Sequence, residues 1–354
     1  MVPVIKKFLS LLTAAVLFLH DAPCAGAEAP LGISAESAVV MHESGRVIYG
    51  KNPDKHMLIA STTKLMTAIL AIENCSLDDK VEIKPEYCMT EGSSMYLEQG
   101  KVYTVEELLK GLLLVSGNDA ALALACRVSG TEKAFVSLMN KKARELGMLD
   151  SHFENPHGLD SPHHYSTAED LAVLMSFCMK NPVFASLTVL KSAAAGEQIL
   201  INHNRLLKLC KGCEGGKTGY TEAAGRCLVS CCCRNGTRFI CVTLNAPDDW
   251  NDHIRLYNRA FSQYSWRNVT EDIKFSVPVI SGTEKEAVIL AEEVSLLLGR
   301  NDVLSLRTEL PWFRFAPVSA GSTAGEAVIF LNGEKIAGAR LYYRDSIPAS
   351  DKSV

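Results

Sequence analysis

The chain has no block of basic residues, no internal repeat, no low-complexity tract, and no apolar segment long enough to span a membrane comfortably. Each absence removes a class of function. With 36 Lys and Arg against 40 Asp and Glu, the formal charge is −4, so the basic footprint that nucleic-acid binding needs is missing. The apolar run Phe8–Leu19 follows Lys6 and Lys7 and precedes Ala25-Gly26-Ala27. That is the three-part pattern of a secretory signal peptide, with cleavage expected before Glu28. An uncleaved anchor is the alternative, disfavoured by the shortness of the run. Metal-ligand spacing is also lacking. His157, His163 and His164 have no helical i, i+4 spacing and read as loop hydrogen-bonding residues. Cys210 and Cys213 form a C-x-x-C, but no second C-x-x-C or His pair stands at a familiar zinc spacing. No metal or other cofactor is expected.

What is present is apolar and plentiful. The 354 residues are 47% hydrophobic, enough for a large domain and a smaller one, each with its own core. Twelve cysteines are many for an exported chain. Cys24 leaves with the leader, and an odd number remains. Most read as small buried apolar residues or reduced thiols; a disulfide near Cys210–Cys213 and a metal site are the alternatives.

The pattern places a hairpin over 37–50, with Glu43-Ser44-Gly45 as its turn. Helical periodicity runs from Leu58 to about Asn74, then over Val105–Leu114, Ala120–Val128, Thr131–Leu146 and Thr167–Met179. A polar loop rich in His and Pro spans Ser151–Ser166, where Asp160, like Asp170 beyond it, reads as a turn or cap residue. Lys217–Gly219, Arg226–Cys233 and Phe239–Leu244 read as strands, with Asn235-Gly236 as a hairpin turn, and His253–Tyr264 as a closing helix. Strands flank a helical block at both ends, so the class is α+β with helices packed on an antiparallel sheet. Alternation over Ile273–Ile280, Ala287–Leu298, Ala324–Leu331 and Lys335–Tyr343 adds a small all-β sandwich domain. The expected division is a leader over 1–27, a catalytic domain over 28–266 and a β-rich domain over 267–354.

Three short motifs carry chemistry. Ser61-Thr62-Thr63-Lys64 puts a hydroxyl and an amine on one helix face. A serine attacks only if its proton is removed, and a lysine can take it when desolvation or a second cation lowers its pKa. Ser116-Gly117-Asn118 projects a hydroxyl and an amide from a sharp turn. Lys217-Thr218-Gly219 offers a cation and a hydroxyl to a carboxylate, on a strand that another backbone can approach. It is not a phosphate-binding loop, because a strand rather than a helix follows. Alone, Ser61 and Ser116 read equally well as helix caps.

In this order, with 55 and then 101 residues between their leading positions, the three are the motif set of the penicillin-recognising serine acyl-transferases. Leu114-Val-Ser-Gly-Asn-Asp-Ala-Ala121, Asn155-Pro-His-Gly-Leu-Asp160 and His164-Tyr-Ser-Thr-Ala-Glu-Asp170 resemble the D-alanyl-D-alanine carboxypeptidases among the low-molecular-weight penicillin-binding proteins. The resemblance covers roughly residues 33–265, and more loosely the tail over 316–343. It implies a serine carboxypeptidase acting outside the cytoplasm on peptidoglycan stem peptides and inhibited by β-lactams. Ser61 would attack the penultimate D-Ala, Lys64 would act as base and Ser116 would pass the proton on. Asn118 would hold the acyl amide, and Lys217 and Thr218 the terminal carboxylate. The N–H groups of Ser61 and Tyr220, beside Gly219, would form the oxyanion hole. A non-hydrolytic wall-binding or sensing protein, and a β-lactamase using Glu154 or Glu169, are the alternatives. Two departures stand out. Relatives often carry an arginine before the helix that closes the first domain. Here Asp248-Asp249-Trp250 stands there, with Arg255 the nearest arginine, which leaves Lys217 and Thr218 to bind the carboxylate. The end, Ser346–Val354, is too short and polar for the amphipathic membrane anchor that many relatives carry.

Overall fold

The computed structural model describes residues 31–350. The expected leader lies outside them. The chain divides into two compact units between Ser262 and Gln263.

The first unit opens with strand β1 (Ser37–His42), whose six residues are all buried, and β2 (Val47–Lys51). The turn between them falls at the expected Glu43-Ser44-Gly45. A single 3-10 turn, Ala60–Thr63, then feeds helix α1 (Lys64–Asn74), buried on every side from Lys64 to Ala71. A helix apolar all round belongs at the centre of a core, and α1 packs against its helical neighbours there. A short antiparallel pair, β3 (Lys80–Glu82) and β4 (Val102–Thr104), leads to α2 (Val105–Leu114). Thr104 caps α2 reciprocally: its hydroxyl accepts from Glu107 N at 3.1 Å, and Glu107 accepts from Thr104 N at 2.8 Å. Helices α3 (Asn118–Ser129), α4 (Glu132–Glu145) and α5 (Ala168–Met179) follow, the last two with the side chains of Thr131 and Thr167 as N-caps.

Helix α6 (Pro182–Thr188) has Asn181 as its cap and Pro in its first turn. The pair β5 (Ser192–Ala195) and β6 (Gln198–Ile201) and the single turn α7 (Leu206–Leu209) come next. None of these short pieces is visible as hydrophobic periodicity. Three long strands complete the unit's sheet: β7 (Cys213–Thr221), β8 (Gly225–Arg234) and β9 (Thr237–Leu244), in the order β2-β1-β9-β8-β7. Asn235 and Gly236 turn β8 into β9 with φ of 50° and 76°, the left-handed pair that a two-residue hairpin needs.

Alternation along β8 and β9 sorts the two faces of this sheet. Cys227, Val229, Cys231, Ile240 and Val242 join the core beneath the helices. Ser230 and Thr243 face helix α8 (Asp249–Gln263), where both ring nitrogens of buried His253 are hydrogen bonded, Nδ1 to Ser230 at 2.8 Å and Nε2 to Thr243 at 3.0 Å. The sheet is therefore a middle layer, with its edge strand β7 carrying Lys217 to Gly219.

The second unit holds β10 (Tyr264–Asn268), β11 (Lys274–Ile280), β12 (Glu286–Ala291) and β13 (Ser295–Gly299). It continues with β14 (Leu304–Glu309), β15 (Arg314–Phe315), β16 (Thr323–Leu331) and β17 (Glu334–Tyr343). Six of them form a sheet ordered β14-β16-β17-β12-β11-β15, and β10 pairs with β13. The single strand expected over Ala287–Leu298 is two strands. The break has a cause in Thr270, whose hydroxyl donates to Glu292 O and accepts from Val294 N, drawing the chain out of one ladder and toward β10. Among the described residues no single helix is long and apolar enough to cross a membrane.

In the first unit, Asp252 fastens the segment that precedes β1 to α8. Its buried carboxylate accepts from Ser34 N (2.9 Å), Ser34 Oγ (2.7 Å), Ala35 N (3.0 Å) and Arg255 Nη2 (2.6 Å). Burial alone would raise its pKa; the hydrogen bonds from Ser34, Arg255 and Ala35 outweigh it and hold the value below that of a free aspartate. A depressed carboxylate stabilises the fold above its unfolded pKa and loses that contribution as pH falls through its folded one. Asp252→Asn is therefore expected to cost about 2 kcal/mol at neutral pH, with the gap to wild type closing in strong acid. Denaturant titrations of both proteins from neutral pH downward check this.

Candidate active site

The apolar stretch around Ser61 ends in a side chain that has no business in a core unless it is satisfied: Lys64, fully buried. Its ammonium reaches three oxygens, Ser61 Oγ at 2.9 Å, Asn118 Oδ1 at 2.6 Å and the backbone carbonyl of His157 at 2.6 Å. Three acceptors match the three donors of a lysine. Its pKa lies well below that of a free lysine, first through burial and then through the charge of Lys217, with Asp119 acting in the opposite sense.

Lys217 is the second buried cation, 1% exposed, reaching from β7 to Ser116 Oγ at 3.0 Å and to the carbonyl of Thr218 at 2.7 Å. Burial brings its pKa down to about 7. Lys217 pairs in register with Val229, so it points toward the helical side of the sheet; Thr218 pairs with Leu228 and takes the α8 side. The structure thus brings Ser61, Lys64 and Asn118 into one hydrogen-bonded group and Ser116 and Lys217 into a second, close enough for the charge of Lys217 to act on Lys64.

Two backbone positions beside these groups have left-handed φ at residues other than glycine: Ala60 at 46° and Ser116 at 64°. Such a conformation costs about 1–3 kcal/mol and persists only when its surroundings hold it. The surroundings are visible. Thr63 Oγ1 donates to Ala60 O at 2.9 Å, and Lys217 holds the Ser116 hydroxyl. Because Thr63 has spent its one proton on Ala60, His164 Nε2, 2.8 Å away, must be the donor between them. His164 Nδ1 in turn accepts from Glu154 N at 3.1 Å. His164 is therefore the neutral Nε2–H tautomer, in line with burial lowering its pKa to about 4.

The His- and Pro-rich loop has the hydrogen-bonding role expected of it, and one role that the sequence does not reveal. His157 contributes its carbonyl, not its ring, to Lys64; the ring, with a pKa lowered to about 3 by burial and by Lys64, accepts from Leu159 N. Asp160 receives the hydroxyl of Thr221 at 2.9 Å and so joins the loop to the far end of β7. Asp170 accepts from Asp150 N and Ser151 Oγ.

Asn118 is used at both ends, Oδ1 by Lys64 and Nδ2 by the carbonyl of Glu91 at 2.5 Å. One lone pair and one N–H of its amide remain for a peptide group. Next to it, buried Asp119 collects Ser94 Oγ (2.6 Å), Met95 N (3.1 Å) and Leu97 N (3.0 Å), pinning the segment that lies over Asn118. Sequence reasoning gave Asp119 no such role; an acid following Asn in the second motif was its only sign.

Gly219 lies against the turn that carries Ser61. A Cβ added there would stand 3.0 Å from Ser61 N and 3.1 Å from Ile59 O. Any larger residue would fill the space in front of the Ser61 amide. Beyond it Tyr220 is exposed, and β7 is the edge of its sheet, with one row of backbone groups open. The hydroxyl of Thr218 has no hydrogen-bond partner among the described residues.

Neither glutamate weighed as a deacylating base touches Ser61 or Lys64. Glu154 accepts from Ser161 Oγ and from His163 N, and Glu169 sits in the first turn of α5. Arg255 is likewise committed elsewhere, to Asp248 and Asp252. The arginine that does lie near the edge strand is Arg226, opposite Tyr220 in the β7–β8 ladder. Its guanidinium meets buried Asp249 at 3.0 Å and lies 5.6 Å from the centroid of Trp250, while its Nε is buried without a partner.

All eleven described cysteines are free thiols, so the alternative of a Cys210–Cys213 bridge is not formed here. No group of three or more His, Cys, Asp or Glu among the described residues is arranged to hold a metal ion.

Comparison with known proteins gives the family and the fold. The family model described as D-alanyl-D-alanine carboxypeptidase matches residues 24–248. D-alanyl-D-alanine carboxypeptidase DacF of Bacillus subtilis is 34% identical over 94% of this chain and 92% of its own length. DacC of Escherichia coli is 31% identical over 91% of this chain and 87% of its own. Among solved structures, penicillin binding protein 5 from Haemophilus influenzae superposes with a TM-score of 0.71 at 28% identity, covering 91% of this chain and all of that one.

Proposed function

This chain belongs to the D-alanyl-D-alanine carboxypeptidase family, and we propose that Ser61 is the nucleophile with which it removes the terminal D-alanine of a peptidoglycan stem peptide. The observation that carries the assignment is the buried Lys64 amine, 2.9 Å from Ser61 Oγ and shared with Asn118 and His157.

A neutral lysine has two N–H groups and one lone pair. Directed to Asn118 Oδ1 and the His157 carbonyl, the two N–H groups leave the lone pair facing the Ser61 hydroxyl. Lys64 then takes the proton as Ser61 Oγ bonds to the carbonyl carbon of the penultimate D-Ala. The developing oxyanion sits before the Ser61 amide and that of Tyr220, in the space that Gly219 leaves open. Each such donor is typically worth about 3–4 kcal/mol of barrier. Ser116, held by Lys217, relays the proton to the leaving D-Ala nitrogen. Water then releases the acyl group from Ser61. Asn118 receives the acyl amide with its remaining lone pair and N–H.

Lys217 and Thr218 meet the terminal carboxylate, and Arg226 joins them from β8. Thr218 and Tyr220 share the sheet face to which Arg226 belongs, and Arg226 is the diagonal neighbour of Thr218. That separation is roughly 7–8 Å between backbones, within reach of a long side chain. Asp249 and Trp250, standing where relatives carry an arginine, hold this one instead. A β-lactam presents the same carboxylate and acylates the same serine.

The leader pattern over 1–27 supports export, and the substrate class requires it. We take 28–266 as the catalytic domain and 267–354 as a separate β-rich domain.

Three outcomes are expected. Wild type releases D-Ala from a diacetyl-Lys-D-Ala-D-Ala mimic and retains labelled penicillin, whereas Ser61→Ala does neither; equal release by both would refute the nucleophile. Lys217→Gln, which keeps a donor for Ser116 but removes the charge, raises the pKa of Lys64. Because the neutral amine is the base, the acid limb of the acylation rate moves to higher pH, by about one unit. Arg226→Gln raises KM roughly tenfold for the peptide acid, an amount in keeping with loss of one charged hydrogen bond, and leaves the peptide amide unaffected. Steady-state kinetics on the acid and amide pair measure that difference.

A further inference from the structure

Outside the catalytic groove, the densest cluster of nucleophilic side chains lies where β7 begins. Cys210 follows α7 as its C-cap, Lys211 and Gly212 make a turn, and Cys213 opens β7, with Cys231, Cys232 and Cys233 on the neighbouring β8. Cys210 Sγ and Cys232 Sγ are 4.0 Å apart, and both residues are buried. Both sulfurs lie against one backbone oxygen, that of Lys211, at 3.9 Å and 3.2 Å. The turn is held against β8: Cys233 N donates to Gly212 O at 2.9 Å, and the approach is so close that a Cβ on Gly212, at φ +84°, would stand 2.2 Å from Cys233 O.

The two thiols are not equivalent. Arg234 Nη2 lies 3.6 Å from Cys210 Sγ, while Nε of the same guanidinium holds Lys211 O at 2.9 Å and Nη1 holds Asn258 at 3.0 Å. Its plane sits 4.6 Å from the ring centroid of Phe261. The cation is thus fixed beside one sulfur. Donation from the Cys232 thiol, and then the Arg234 guanidinium, favour a thiolate on Cys210; the contact with Cys210 and burial disfavour one on Cys232, against the Arg234 charge.

The competing partners are placed less well. Cys213 Sγ donates to Gly215 O at 3.7 Å, and burial pushes its thiol up to about 12. Cys231 points to the opposite face of the sheet, toward Glu214.

We propose that Cys210 and Cys232 are a built disulfide site, oxidised by a small-molecule or protein disulfide. The Cys210 thiolate attacks one sulfur of the external disulfide, forming a mixed disulfide and expelling one thiolate. Cys232 loses its proton to solvent and attacks Cys210 Sγ, expelling the second thiolate. Two protein thiols are oxidised and one external disulfide is reduced to two thiols. The bond closes the segment 210–232 and staples the root of the strand that carries Lys217 to β8. It stands apart from the chemistry at Ser61, and its readout requires no turnover.

The test uses the full chain, reduced and then incubated with oxidised glutathione. Two thiols are lost per chain without added mass from glutathione. Trypsin cuts after Lys211, so Cys210 travels in the peptide Leu209–Lys211 and Cys213 in Gly212–Lys217. The expected crosslink joins Leu209–Lys211 to Cys227–Arg234, with fragmentation placing it on Cys232. Oxidation raises Tm by about 5–10 °C, as expected for closing a loop of this size in a unit of this size. Cys210→Ser and Cys232→Ser each abolish both the crosslink and the shift. Should Cys232→Ser fold poorly, Cys210→Ala in the turn gives the same reading. A Cys210–Cys213 or Cys213–Cys232 link, glutathione retained on Cys210, or no loss of thiols would each overturn the proposal.

Discussion

Two lysines buried within one apolar core set the terms for this site. Lys64 is 0% and Lys217 is 1% exposed. An isolated ammonium in such surroundings costs several kcal/mol even after relaxation, so each must find oxygen partners or give up its proton. Lys64 finds three and Lys217 two. Much else follows from supplying those oxygens. Ser116 is turned into a left-handed conformation to face Lys217, the loop after Asn155 brings a carbonyl to Lys64, and Asp119 pins the segment over Asn118.

The layers divide the labour. The helical block supplies Lys64, Ser116 and Asn118 from rigid, fully packed positions, and the sheet edge supplies Lys217 and Thr218 with an open row of backbone groups. A peptide laid along β7 would meet fixed side chains on one side and a strand ladder on the other, a familiar mode of peptide capture. Turnover needs the reacting groups fixed in advance of the substrate, because hydrogen bonds that are already oriented need no reorganisation as charge develops. His164 shows how far that support extends: a neutral ring with no hydrogen bond to Ser61 fixes Thr63, which fixes Ala60, which sets the turn that carries Ser61.

The legible parts of this molecule are those in which side-chain identity does the work. Asn235-Gly236 announces its hairpin because two left-handed residues are needed there. Thr131 and Thr167 announce their helices because a hydroxyl satisfies a free N–H. The three motifs are legible because their hydroxyl, amine and amide are side-chain groups that the sequence names directly. The illegible parts rest on backbone groups or on tertiary meetings. A backbone carbonyl belongs to no residue type, so the sequence draws attention to the ring of His157 while it is the backbone oxygen that meets Lys64. Arg226 looked like one strand residue among many; only the ladder opposite Tyr220 and the meeting with Asp249 set it apart. The split at Glu292–Val294 depends on one hydroxyl, that of Thr270, more than twenty residues away in sequence.

The same burial that would suit Lys64 and Lys217 to the proposed acyl transfer acts against the fold. A lysine whose folded pKa lies below its unfolded value binds its proton more weakly in the folded state. Between those two values the unfolded chain carries the extra proton, so stability rises with pH and falls as pH drops toward the folded value. For Lys217 that window runs from about 7 up to the ordinary lysine range near 10.5. At neutral pH the fold therefore bears most of this penalty. The wide apolar core around α1 and the hydrogen-bonded loops that converge on it offset the cost, and the lowered proton affinity that results is the property a lysine base needs.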